Sequence, residues 1–128
     1  MIALDPVVDQ ALDEIRDAFP AAAVEVVPDG AGGGFVVVDP IDLGPHYSPS
    51  STWLGFHIST AYPDADVYPH YIARVMRVDG LPHGPALQVV EWQGREALQV
   101  SRRLNRWNPD RDNAVLKAHR VLTWLREQ

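Results

Sequence analysis

Residues 52–59 read TWLGFHIS, an alternation that puts Leu54, Phe56 and Ile58 on one side of an extended chain and Trp53, Gly55 and His57 on the other. Strand side chains point to opposite faces with a period of two, so the aliphatic set is expected to meet a layer of helices. The reading fixes a sheet with one covered face.

Upstream, the β-branched-rich runs Val24 to Val27 and Phe35 to Val38 are separated by Pro28-Asp29-Gly30 and the Gly32-Gly33-Gly34 stretch, which predicts two strands joined by a turn with a mobile glycine tip. Those glycines are not a phosphate loop, because no Lys-Ser/Thr follows them and they precede a strand instead of a helix. Residues 39–51, DPIDLGPHYSPSS, are dense in Pro, Gly and Ser and predict a surface connection. Downstream, Tyr62-Pro63 and Tyr68-Pro69 turn the chain into a proline-rich flap, each proline restraining its own φ and extending the residue before it. Tyr71 to Val78 then read as a fourth strand. Leu87 to Trp92 and Glu96 to Ser101 form a second hairpin candidate about Gln93-Gly94.

Two amphipathic helices bracket these strands. Asp5 is a good N-cap with Pro6 at the first helical position, and Val8, Leu12, Ile15 and Phe19 recur at helical spacing before Pro20 ends the pattern. Asp9, Asp13, Arg16 and Asp17 fall on the watered side. The last helix is expected to start near Asn108 or Asp110, with Val115, Ala118, Leu122 and Leu125 as its core stripe, Val121 and Trp124 widening it, and Lys117, Arg120 and Arg126 opposite. The order is that of an α+β domain: N-terminal helix, antiparallel four-stranded meander, flap, and a C-terminal helix packed on the sheet. Its expected core joins Leu12, Ile15, Leu54, Phe56, Ile58, Val115, Leu122 and Leu125.

At 128 residues the chain fits a single domain, 1–128, with enough buried surface to fold without staples. It has no cysteine, which excludes disulfides, cysteine-ligated zinc and thiol nucleophiles. The first residues, MIALDPVVDQ, lack the basic and apolar segments of a signal peptide, and no stretch reaches the roughly 20 apolar residues of a membrane span, so a cytoplasmic protein without membrane partners is expected. The net charge is -6, but residues 1–70 carry -10 and residues 71–128 carry +4. Such halves can make a dipole. Only Lys117 among the eleven basic residues is a lysine, and the overall negative charge with no stacking platform argues against nucleic acid.

The words HISTAYPDADVYPHYI (57–72) and SRRLNRWNP (101–109), a Tyr-Pro turn after the third strand and a Trp-Asn-Pro start before the last helix, resemble the ubiquitin-conjugating (UBC-like) superfamily over roughly residues 5–126. The likeness is greatest to a prokaryotic, bacterial branch whose genes accompany ubiquitin-like proteins, activating enzymes and deubiquitinase-type peptidases. The resemblance implies a UBC-like fold and a place in ubiquitin-like conjugation. Conjugating enzymes carry their cargo as a thioester on a cysteine, and the corresponding position before Trp107 is Gln99, an amide without nucleophilic competence. Where the family has His-Pro-Asn, this chain has Leu81-Pro82-His83-Gly84. Ser101 lies nearby in sequence without an adjacent base and reads as a strand-end serine. The chain therefore resembles an inactive relative, a pseudoenzyme with no catalytic residue and no cofactor, that binds a ubiquitin-like protein, its activating enzyme, or both.

The candidate partner-binding residues are Arg95, Arg102, Arg103 and Arg106, close in sequence to Trp92, Trp107 and Arg111, followed by the flap tyrosines Tyr62 and Tyr68. A second reading is a metal-dependent hydrolase built on the flap residues His57, His70 and Asp66, since neutral imidazole and carboxylate suit a zinc-type ion. A third is an assembly subunit whose work is oligomerisation.

Overall fold

The computed structural model describes residues 4–101 and 106–128. Helix α1 (Pro6–Ala18) is followed by strands β1 (Ala23–Pro28), β2 (Gly34–Asp42), β3 (Tyr47–Ser48), β4 (Ser51–Ile58), β5 (His70–Ala73), β6 (Met76–Arg77), β7 (Leu87–Trp92) and β8 (Arg95–Val100), and by helix α2 (Ala114–Arg126). This is the α+β layout expected from the sequence. The meander β1-β2-β4-β5 is antiparallel, and the β7–β8 hairpin docks through β8 on β5 to extend it to six strands in the order β1-β2-β4-β5-β8-β7. Gln93 and Gly94 both adopt positive φ, the backbone a two-residue hairpin turn demands.

Both helices lie on the face defined by Leu54, Phe56 and Ile58, all fully buried. Asp5 caps α1 through the Val7 amide, and Val8, Leu12 and Ile15 pack inward with Ala11. From α2 come Ala114, Ala118, Val121, Leu122 and Leu125, with Val115 and Trp124 half-buried at the margin. Side-chain hydrogen bonds tie α2 at both ends. The Tyr62 hydroxyl accepts from the Ala114 amide at 3.0 Å, and the Tyr47 hydroxyl donates to the Leu125 carbonyl at 2.7 Å.

Five local expectations are corrected. The stretch 39–51 is not simply a surface connection: β2 runs on to Asp42 past a register shift between Val38 and Ile41, and Ile41, Leu43 and Tyr47 are core. Pro40, which has no N–H for the ladder, lies in that shift. The fourth strand is two strands, because the chain leaves the sheet after Ala73 to bury Val75, and β6 then pairs with β3. The glycine tip is tied down: the Asp29 carboxylate accepts from the Ala31 and Gly33 amides at 2.7 and 3.0 Å, and the Asp5 amide donates to the Gly32 carbonyl.

The last helix is capped at Asn113, later than the expected Asn108 or Asp110. Asn108 and Asp112 close a turn of their own, with the Asn108 amide donating to Asp112 Oδ2 at 2.8 Å and the Asp112 amide to the Asn108 carbonyl at 2.7 Å. Asn113 is the cap, its side chain accepting from the Leu116 amide. Lys117 does not face water either. Its side chain is 3% exposed and its ammonium donates to both oxygens of Asp66, at 2.9 and 2.7 Å. A buried ammonium needs such a partner, and the flap supplies it.

Candidate functional site: the helix-free face of the sheet

The face of the sheet that carries Trp53, Gly55 and His57 receives no residue from either helix. It has its own small core of Val37, Trp92 and Ala97, with Phe35, Trp53, Tyr71 and Val90 half-buried around it. Gly55 makes this possible. A Cβ at that position would run into the Trp92 indole, so only glycine lets the ring lie flat on the strand.

Trp92 therefore sits at the centre of an aromatic stacking platform, which corrects the expectation from the sequence that the chain has none. Its ring stacks with Tyr71 at 4.6 Å and an interplanar angle of 12°, and with Trp53 at 5.9 Å and 17°. Phe35 meets it edge-on at 6.4 Å. Phe35 in turn stacks on His57 at 4.5 Å, and His57 Nε2 lies 2.7 Å from Asp29 Oδ2. The bond to His57 and the Ala31 amide hold the Asp29 carboxyl below its usual range. At the other end of the platform the Arg95 guanidinium lies 5.1 Å from the centre of the Trp53 ring, a cation–π contact, and 3.7 Å from Glu25.

Arg95 thus belongs to this face. So does Gln99, two strand periods along β8, cross-strand from Tyr71 and Gln88, with its amide donating to the Ser101 hydroxyl at 3.3 Å. Tyr68 is half-buried and electrostatically coupled to Tyr71, whose phenol is pushed above its usual pKa first by burial and then by Tyr68. The other predicted binding residues are elsewhere. Tyr62 is 7% exposed, and its hydroxyl serves the first turn of α2, so this residue is a part of the core and not of a docking surface. Arg106 is exposed beside the Asn108–Asp112 turn. Arg102 and Arg103 lie outside the described residues.

The flap residues proposed for a metal are not brought together. His57 is on the helix-free face, whereas His70, cross-strand from Phe56, is buried on the helix side at 5.2 Å from the Phe56 ring. Burial, and then the nearby Lys117 charge, lowers the His70 pKa to about 3, and neither ring nitrogen has a hydrogen-bond partner among the described residues. Asp66 is committed to Lys117. Among the described residues no group of three or more histidines and carboxylates is placed to hold a metal ion.

Phe35, Val37 and Tyr71 are members of this surface that sequence reasoning did not single out. Each lies at a face position of its strand, so the alternation carries a signal, but only the register Phe35↔His57, Val37↔Gly55↔Tyr71 assembles them. Chemically the platform offers stacked rings, one guanidinium and amide groups, a set suited to burying apolar side chains and orienting a carbonyl or carboxylate. No family model matches the chain, and neither a curated protein nor a solved structure matches it. No described helix is long and apolar enough to cross a membrane.

Proposed function

We propose that this protein is a non-catalytic binding module of the UBC-like type, acting in bacterial ubiquitin-like conjugation, and that it docks a ubiquitin-like protein or its activating enzyme on the helix-free face of the sheet. The observation that carries this reading is the platform of Trp53, Trp92 and Tyr71 edged by Arg95 and left uncovered by both helices. Rigid aromatic rings and arginine are the residue types that dominate binding energy at protein interfaces. Gln99, at the position the resemblance assigns to the nucleophile, lies on that same face, cross-strand from Tyr71.

Non-covalent titration tests the proposal. Where a ubiquitin-like protein or an activating enzyme is encoded in the same organism, each should be titrated against the isotope-labelled chain, with Trp53 and Trp92 indole signals and the Arg95 Nε signal as reporters. One of the two partners is expected to shift them. Arg95→Glu and Trp53→Ala should each weaken that complex by about thirtyfold, the effect of losing roughly 2 kcal/mol at a hot spot, with the fold retained. Shifts confined to the helices, or affinity unchanged in both variants, would remove this face as the docking surface.

A further inference from the structure

Arg106, Asn108, Arg111, Asp112 and Arg120 line a recess of about 370 Å³. Three guanidinium groups face one carboxylate there, in a chain whose net charge is -6. The carboxylate is already committed. Asp112 is 7% exposed, its Oδ1 accepts from Arg120 Nη1 at 2.8 Å, and its Oδ2 accepts from the Asn108 amide at 2.8 Å. The Asn108 amide, and then the charges of Arg120 and Arg111, hold the Asp112 carboxyl below the usual carboxylate range, and three arginines against this one carboxylate leave the lining a net charge of +2. Among the described residues Arg106 and Arg111 have no ion-pair partner.

The backbone of the lining turn is also tied down. The Asn108 side chain accepts from the Asp110 amide at 2.9 Å, and the Arg111 and Asp112 amides both donate to the Asn108 carbonyl at 3.0 and 2.7 Å. Trp107 fixes the approach to this turn by donating from Nε1 to the Pro63 carbonyl at 2.6 Å. Asp112, anchored in that turn, braces Arg120 across from α2. Guanidinium forks match an oxyanion's geometry with paired N–H donors, and the Arg120 fork is already positioned by Asp112.

We propose that this recess binds a phosphate-type dianion, either free or as the monoester of a small molecule. A net lining charge of +2 matches a dianion better than a single carboxylate, and Arg106 and Arg111, which have no ion pair among the described residues, can offer their forks to its terminal oxygens beside Arg120. The site is separate from the docking reading above and does not depend on it.

Arginine Nε–H signals of the intact chain, titrated at constant ionic strength with inorganic phosphate, with O-phosphoserine, with serine and with chloride, test the proposal. Phosphate or phosphoserine is expected to shift Arg106, Arg111 and Arg120 saturably, while serine and chloride leave them in place. The double variant Arg106→Gln/Arg111→Gln should weaken binding about tenfold or more at unchanged melting temperature, since it removes exposed charges outside the core. Should that pair disturb the fold, Arg106→Gln alone carries the same expectation of weakened binding. Tighter binding of phosphoserine assigns the site to a monoester, and tighter binding of inorganic phosphate to the free anion. Unsaturable shifts spread over Arg16, Arg74 and Arg77, equal shifts with chloride, or unchanged affinity in folded variants would overturn it.

Discussion

At the scale of single residues, the two histidines that flank the flap show how one sheet separates identical side chains. His57 stands on the helix-free face with Asp29 as partner, whereas His70, fully buried, is held neutral with a pKa of about 3. The consequence for stability has a definite sign. An unfolded histidine titrates near 6.5, so above that pH the ring is neutral in both states and the stability is fully present. As the pH falls below 6.5, only the unfolded chain takes up the proton, and stability is lost by up to about 1.4 kcal/mol per unit down to about pH 3. Asp29, Asp79 and Asp112, whose pKa values are lowered, add their own loss only in stronger acid. Denaturant titrations between roughly pH 4.5 and 6.5 therefore read out the His70 contribution. His70→Leu should flatten the pH dependence in that window; an unchanged slope would place the acid lability elsewhere.

Among the elements, α2 depends most on partners far away in sequence. Its first amide is capped by Tyr62, its last turn by Tyr47, and the middle of its buried face carries Lys117 against Asp66. The helical period alone turned Lys117 toward water, because a sequence pattern does not say that a flap carboxylate will be waiting over the helix. Breaking a buried pair from one side leaves an uncompensated charge. Asp66→Leu should accordingly cost about 3–5 kcal/mol in denaturant melts, as should Lys117→Met, while the double variant recovers most of the loss because two apolar side chains replace two desolvated charges. Additive losses would mean that the pair does not interact in the folded state.

Across the whole molecule, the sheet is layered unevenly. Its middle, β4, buries Leu54, Phe56 and Ile58 completely under the helices and Gly55 under Trp92, while the edge strand β1 is exposed at Ala23, Glu25, Val27 and Pro28. Opening should therefore start at the edges. Amide hydrogen exchange is expected to be slowest in β4 and the part of β2 paired with it, and faster in β1 and β7; equal protection throughout would show that the sheet opens only as one unit. The sequence by itself determined the helices, the strand alternation, the hairpin turn and the absence of a thiol, because period, turn chemistry and composition are local properties of the chain. It also offered Arg95 and Trp92 as surface candidates, of which Arg95 edges the platform and Trp92 is buried within it. Only the tertiary structure decided which faces were left uncovered, that Phe35, Trp53, Tyr71 and Trp92 meet on one of them, that Tyr62 and Lys117 turn inward, and that Arg106, Arg111 and Arg120 line one recess. Those outcomes depend on register and on contacts between residues more than fifty apart in the chain, such as Lys117 with Asp66 and Tyr62 with Ala114, and a local pattern carries no information about a distant partner.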